Sequence, residues 1–146
     1  LSLHDALPIS AFALAGARLG YLVADKDLVK ALLLTRLPYH LSAPTQAIAA
    51  VALKNRVALQ KEVELLKNDR ERVRESLIKW GFKVVSSDSN FLLFSGFRGS
   101  SEEVWRGLLD KKVLIRDVGI PNHLRVTIGT PDENNQFLAA ISSYKQ

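Results

Sequence analysis

Leu77-Ile78-Lys79-Trp80-Gly81-Phe82-Lys83-Val84-Val85 is the stretch where the hydrophobic period of this chain changes. Upstream, Leu59, Val63, Leu66, Val73, Leu77 and Trp80 follow one another at alternating spacings of four and three, with Arg70 at the one position that breaks the series. That pattern predicts a long amphipathic helix over Val57 to Trp80 with one buried seam and a mixed-charge outer face. Gly81 is placed to cap it. Downstream, Phe82 to Val85 and Phe91 to Phe94 read as strands, separated by the turn-forming Ser86-Ser87-Asp88-Ser89-Asn90.

Working outward toward the C-terminus, Ser100-Ser101-Glu102-Glu103 offers a capping box for a helix through about Lys111. Val113-Leu114-Ile115-Arg116 and Leu124-Arg125-Val126-Thr127-Ile128 read as two further strands. Thr130-Pro131-Asp132-Glu133 combines a cap, an early proline and an acid at the third position, and starts a helix that carries Phe137, Leu138 and Ile141 toward the core. Toward the N-terminus, Ser42 opens an alanine-rich helix with Pro44 near its start, and Ala47 to Leu53 is expected to pack closely against a neighbour. A shorter helix over roughly Leu28 to Thr35 follows a cap at Asp25 or Asp27 and ends before Pro38. Gly20-Tyr21-Leu22-Val23-Ala24 reads as a short buried strand. Long helix and short strands together predict an α+β domain.

Composition narrows the function classes. The chain has 146 residues, 47% of them apolar and 24% charged, the balance of a globular protein. No apolar run is long enough to cross a bilayer. Without cysteine there is no disulfide framework or thiolate metal site, and His4, His40 and His123 are too scattered to suggest zinc. The net charge of +5 permits an anionic partner. Yet Asp69 and Glu71 interrupt the basic residues of the long helix, and Phe91, Phe94 and Trp105 do not interleave with lysine and arginine. A nucleic-acid surface is therefore not expected.

Three arginines stand at unusual addresses. Arg18 lies among small and apolar residues just before the expected buried strand, where an unpaired guanidinium would be costly and calls for an anionic partner. Arg116 and Arg125 sit at or inside apolar strands, and alternation puts Arg125 on the face opposite Leu124 and Val126. Spacing alone leaves two readings open: outward arginines in surface ion pairs, or a pair converging on a carboxylate or phosphate that matches the planar fork of arginine.

Ser10 to Tyr21, Leu37-Pro38-Tyr39-His40-Leu41-Ser42 with Thr45-Gln46-Ala47, and Ser89-Asn90-Phe91-Leu92-Leu93-Phe94 occur in an order that resembles the histidinol-phosphate aminotransferases. So do Leu114-Ile115-Arg116-Asp117 and Leu124-Arg125-Val126-Thr127-Ile128-Gly129-Thr130. The resemblance runs from about residue 10 to the C-terminus. It implies the small C-terminal α+β domain of a fold-type I, pyridoxal-phosphate-dependent aminotransferase, plus the last strand and helix of its large α/β domain. The implied organisation is the end of the large cofactor domain over 10–36, linking helices over 37–80 and the small domain over 81–146. By the family's pattern Arg18 binds the cofactor phosphate, Arg125 the anionic group of the substrate, and Arg116 assists with the substrate phosphate.

The family's Schiff-base lysine follows a serine and precedes the Ala-Phe matched by Ala11-Phe12. Ser10 stands near that position and no lysine does, so the chain as written is not expected to transaminate. The family's remaining cofactor partners, an aspartate, an asparagine and a tyrosine, fall in a part upstream of the matched region, as does much of a homodimer interface. Residues 1–9 resemble the in-frame translation of a sequencing-library adapter and are expected to be non-native. The opening at Leu1 and the lack of methionine read as a piece of a longer protein. With no targeting segment visible, the expected setting is the cytoplasm. Two other readings stay open: an aromatic or other amino-acid aminotransferase, and a non-catalytic interaction domain. Made alone, the chain should leave apolar surface bare near Tyr21 and along Ala47 to Leu53. Sedimentation should therefore find self-association, and a clean monomer would contradict the expectation.

Overall fold

The computed structural model describes residues 14–20 and 22–145. The chain divides into two compact units, residues 1–63 and 64–146. Helices α1 (Lys26–Thr35) and α2 (Ala43–Lys54) and the first part of α3 (Arg56–Lys79) belong to the first unit. The local signals for these helices act as the sequence predicts. The Asp25 carboxylate accepts from the Asp27 amide at 2.9 Å, and the Ser42 hydroxyl accepts from the Thr45 amide at 3.2 Å. Pro44 occupies the first turn of α2, where its missing N–H costs little. At the other end the Asn55 side-chain amide donates to the Val51 carbonyl at 2.9 Å.

Two expectations for this unit fail. Gly20 and Leu22 to Ala24 form no strand, and Leu22 and Val23 are exposed. A strand exists only where another strand answers its N–H and C=O groups. The described residues of the first unit contain none. Nor is the alanine-rich helix closely packed: of α2 only Ala52 is buried, while Ile48, Val51 and Leu53 are exposed. Apolar surface lies bare there, as it does at Leu33, Leu34 and Leu37.

The second unit is built on a four-stranded antiparallel sheet of β1 (Lys83–Val84), β2 (Phe91–Ser95), β3 (Arg116–Asp117) and β4 (His123–Thr127), in the order β1-β2-β4-β3. Helices α4 (Ser101–Asp110) and α5 (Pro131–Ile141) complete it with the C-terminal part of α3. The α3 seam is the predicted one: Arg70, Val73 and Leu77 are buried, and Leu66 and Trp80 are half-buried. The helix ends as a Schellman motif. Gly81, at φ +88°, donates to the Ile78 carbonyl at 2.9 Å, and Phe82 donates to the Leu77 carbonyl at 3.1 Å. Phe82 and Leu77 then both enter the core.

One face of the sheet supplies that core. Leu92, Phe94, Leu124 and Val126 point inward and are buried. Phe94 is met edge-on by Phe82, Phe97 and Phe137, with ring centroids at 6.0, 6.1 and 5.9 Å. Both predicted capping boxes form, Ser100 with Glu103 and Thr130 with Glu133. The strand expected over Val113 to Arg116 shrinks to Arg116 and Asp117. Val113 still donates to the α4 carbonyl of Leu108 at 2.9 Å, and the Ile115 carbonyl is taken by the Trp105 indole N–H at 2.9 Å. The backbone groups that a longer ladder would use at those residues serve the helix and the tryptophan.

A polar clasp not predicted from the sequence ties the elements together. Asn134, buried at the start of α5, donates to the Gly129 carbonyl at 3.0 Å and to the Asp69 carboxylate of α3 at 2.8 Å. Its own carbonyl accepts from the Gly129 amide at 3.0 Å. Asp69 also accepts from the Arg72 guanidinium at 2.8 Å, and that bond, with help from Asn134, holds its carboxyl below its ordinary value of 3.8. Glu103 and Glu133 are likewise held below 4.5, first by the cap backbone amides of Ser100 and Thr130 and then by the cap hydroxyls.

A carboxylate whose value is depressed in the folded state stabilises the fold fully above its unfolded value, and that contribution is lost as pH falls through the folded value. The melting temperature should therefore be level above about pH 5 and fall below about pH 4. Glu133→Gln should lower the plateau and make the acid fall shallower, as read by circular dichroism across a pH series.

Candidate functional site

Burying Leu124 and Val126 turns the alternate residues of β4 to the other face of the sheet. His123, Arg125 and Thr127 lie there. The register sets Arg125 opposite Leu93 on one side and opposite Arg116 on the other. Phe91 faces Thr127, and Ser95 faces both His123 and Lys83. The open face thus presents two arginines in one cross-strand row, with a lysine and a histidine in the next.

Residues directly opposite on antiparallel strands have Cβ atoms about 5 Å apart, and like charges in that relation are destabilising. Among the described residues neither Arg116 nor Arg125 takes part in an ion pair. The Arg125 guanidinium lies over the Phe91 ring, 4.6 Å from its centroid. Its Nε–H is buried without a hydrogen-bond partner. A stacked, half-buried guanidinium with an unfilled donor and a second guanidinium alongside is arranged to receive an anion with paired oxygens. The sequence does not single out Phe91 for this candidate site, although the two-residue period that places Arg125 on the open face also places Phe91 there.

Arg18 belongs to the first unit. It follows a 3-10 turn at Ala15–Ala17 and has φ +50°, in the left-handed region. Its side chain is exposed, so the burial cost inferred from its apolar surroundings is not incurred. Gly20, Leu22 and Val23 are exposed as well, and among the described residues no strand lies beside the segment to enclose it. Ser10 lies outside the described residues. Two open depressions of about 430 and 500 Å³ also lie in the first unit, one along Lys54 to Glu62 and the other between Leu22 and Arg36. Neither includes Arg18, Arg116 or Arg125. Among the described residues no group of acids and histidines could hold a metal ion, and no helix is long and apolar enough to cross a membrane.

The sequence matches the family Aminotransferase class I and II over residues 10–141. The chain belongs to that family, whose members depend on pyridoxal phosphate. It is 53% identical over 133 residues to the histidinol-phosphate aminotransferase of Paenarthrobacter aurescens, covering 91% of this chain and 36% of that protein. It is 52% identical over 132 residues to the one of Mycobacterium leprae, covering 90% and 35%. The chain thus spans about a third of the length of these relatives. Among solved structures, the histidinol-phosphate aminotransferase of Clostridium acetobutylicum superposes with a TM-score of 0.77 at 26% identity, covering 91% of this chain and 42% of that one. The Sinorhizobium meliloti enzyme, solved in complex with pyridoxal-5'-phosphate, shares the fold at a TM-score of 0.70 and 24% identity, covering 92% and 38%. The fold class is α+β, that of the C-terminal part of a fold-type I aminotransferase.

Among the described residues, the group whose chemistry suits the phosphate of that cofactor is the Arg18 guanidinium. That guanidinium is exposed, and Ser10 to Asp25 contain no lysine that could supply a Schiff-base amine. No covalent step follows from this donor set.

The opposed arginines give a direct test of their electrostatics. Arg116→Gln should stabilise the anion-free protein by about 0.2–1 kcal/mol at low ionic strength, because it removes a like-charge neighbour. The gain should shrink in high salt, which screens the repulsion. Thermal melts of both proteins across a salt series check it.

Proposed function

We propose that this chain is the C-terminal part of an aminotransferase that exchanges an amino group between L-histidinol phosphate and 2-oxoglutarate, a step of histidine biosynthesis. The observation that carries the reading is the Arg116–Arg125 row, with its unfilled buried Nε–H on Arg125 and the Phe91 ring beneath it. One stacked guanidinium can take either the carboxylate of glutamate or the phosphate of histidinol phosphate, since each presents paired oxygens. Arg116, exposed at the edge of the sheet, adds a second positive charge for the doubly charged phosphate. Similarity to named histidinol-phosphate aminotransferases at about half identity supports this donor over an aromatic one.

In the same reading Arg18 holds the phosphate of the cofactor. When bound, pyridoxal phosphate supplies the carbonyl that condenses with an amine and the electron sink for proton transfer. This chain contributes anion binding to that chemistry and no amine at the position of Ser10, so alone it is inactive. The whole protein acts as a cytoplasmic homodimer, with the remaining cofactor partners upstream of the matched region.

The test uses the 146-residue chain and a full-length counterpart carrying lysine at the Ser10 position. With pyridoxal phosphate, L-histidinol phosphate and 2-oxoglutarate, the chain should form no glutamate. L-histidinol phosphate should nevertheless raise its melting temperature, and Arg125→Gln should abolish that shift. The full-length protein should turn over L-histidinol phosphate faster than phenylalanine or tyrosine. Preference for the aromatic donors would replace the substrate assignment, and a shift retained in Arg125→Gln would remove Arg125 from the site.

A further inference from the structure

Arg70 is the one charged residue in the buried seam of α3, and it is only 8% exposed. A charge at such a position is costly unless paired and hydrogen-bonded, and an apolar residue of similar volume usually serves packing as well or better. Its carboxylate partner, Glu71, is its chain neighbour, half exposed and 3.4 Å away, which is weak compensation. What Arg70 reaches instead is a backbone group: its guanidinium donates to the Ser89 carbonyl at 3.1 Å.

Ser89 lies in the turn that delivers Phe91 to the sheet. The Ser89 hydroxyl accepts from the Phe91 amide at 3.4 Å, and the Ser87 hydroxyl donates to the Phe91 carbonyl at 2.7 Å. Next to it, the Asn90 carbonyl accepts from the Ile128 amide at 2.8 Å. Asp69, the residue before Arg70, holds the Gly129 segment on the other side through Asn134. Two consecutive residues of α3 therefore grip the two chain segments that flank the Phe91–Thr127 end of the ladder. Phe91 is the ring on which the Arg125 guanidinium rests.

We propose that Arg70 is a positioning residue for the anion site, acting through the Ser87–Asn90 turn and the Phe91 ring on Arg125. The inference rests on the reading of Arg125 as an anion site. Arg70 itself touches no substrate. Its bond to Ser89 fixes where β2 begins, and so fixes the surface that orients the guanidinium.

The test measures inorganic phosphate binding to the 146-residue chain by nuclear magnetic resonance, following the Arg125 Nε–H signal, which the ring below it should shift and which Arg125→Lys identifies. Arg70→Met keeps the volume of the seam and removes the reach to Ser89. It should leave the melting temperature unchanged or raised, move the Arg125 signal toward that of a free arginine, and weaken phosphate about fivefold. A merely structural residue would lower the melting temperature and leave the signal of the folded protein in place. If Arg70→Met does not fold, Arg70→Lys decides, because it keeps the charge but not the fork: the same signal movement and weakening support the proposal. Wild-type binding and an unmoved signal in the folded variant overturn the positioning role while leaving the anion site standing. Failure of the wild-type protein to bind phosphate overturns both.

Discussion

A strand that buries every second residue has no choice about the others, and that constraint places the candidate site of this protein. Leu124 and Val126 must enter the core with Leu92 and Phe94, so Arg125 must leave it. The same rule on β2 sends Phe91 and Leu93 to the face of Arg125. A slip of one residue would drive the guanidinium into the aromatic cluster around Phe94 and expose the core. The energy that holds the arginine where an anion can reach it is therefore the burial of its apolar neighbours.

That burial depends in turn on how the sheet is backed. Phe94 is enclosed by Phe82, Phe97 and Phe137, which come from the strand-entering turn, a loop and α5. The Schellman turn at Gly81 brings Phe82 there, and the Thr130 capping box starts α5 so that Phe137, Leu138 and Ile141 face the sheet. Local backbone chemistry and the apolar core agree at each of these points, which is the consistency that makes a small domain fold to one arrangement. The first unit contrasts with this. Its helices are properly capped, yet α1 buries no residue and α2 only Ala52. Caps such as Asp25 and Ser42 act within a single turn, whereas a strand at Leu22 to Ala24 needs a partner that the described residues do not supply.

The polar groups of the second unit follow a similar division. Glu103 and Glu133 are satisfied within their own first turns, and both lie in motifs recognisable from sequence. Arg70 and Asn134 each add to a near-neighbour contact, with Glu71 and Gly129, a bond to a residue far along the chain, the Ser89 carbonyl and the Asp69 carboxylate. The sequence pattern marks Arg70 as an interruption of an apolar series but carries no sign of what it bonds. For Asn134, one polar residue inside a helix, there was no signal at all.

What the sequence by itself determined is whatever depends on near neighbours: the helices from their caps and periods, the seam of α3, the turn at Gly81, and the side of the sheet on which Arg125 lies. Family resemblance added the candidate roles of Arg18, Arg116 and Arg125. Only the tertiary structure decided that Arg116 stands opposite Arg125, that Phe91 lies beneath it, and that one Nε–H is left without a partner. Strand register is a relation between segments joined by a loop, here Val118 to Asn122, where Gly119 and Asn122 take positive φ and Asp117 receives the Gly119 amide. Periodicity fixes the face of each strand, but the alignment of two strands comes from that loop and from the packing that both must satisfy together.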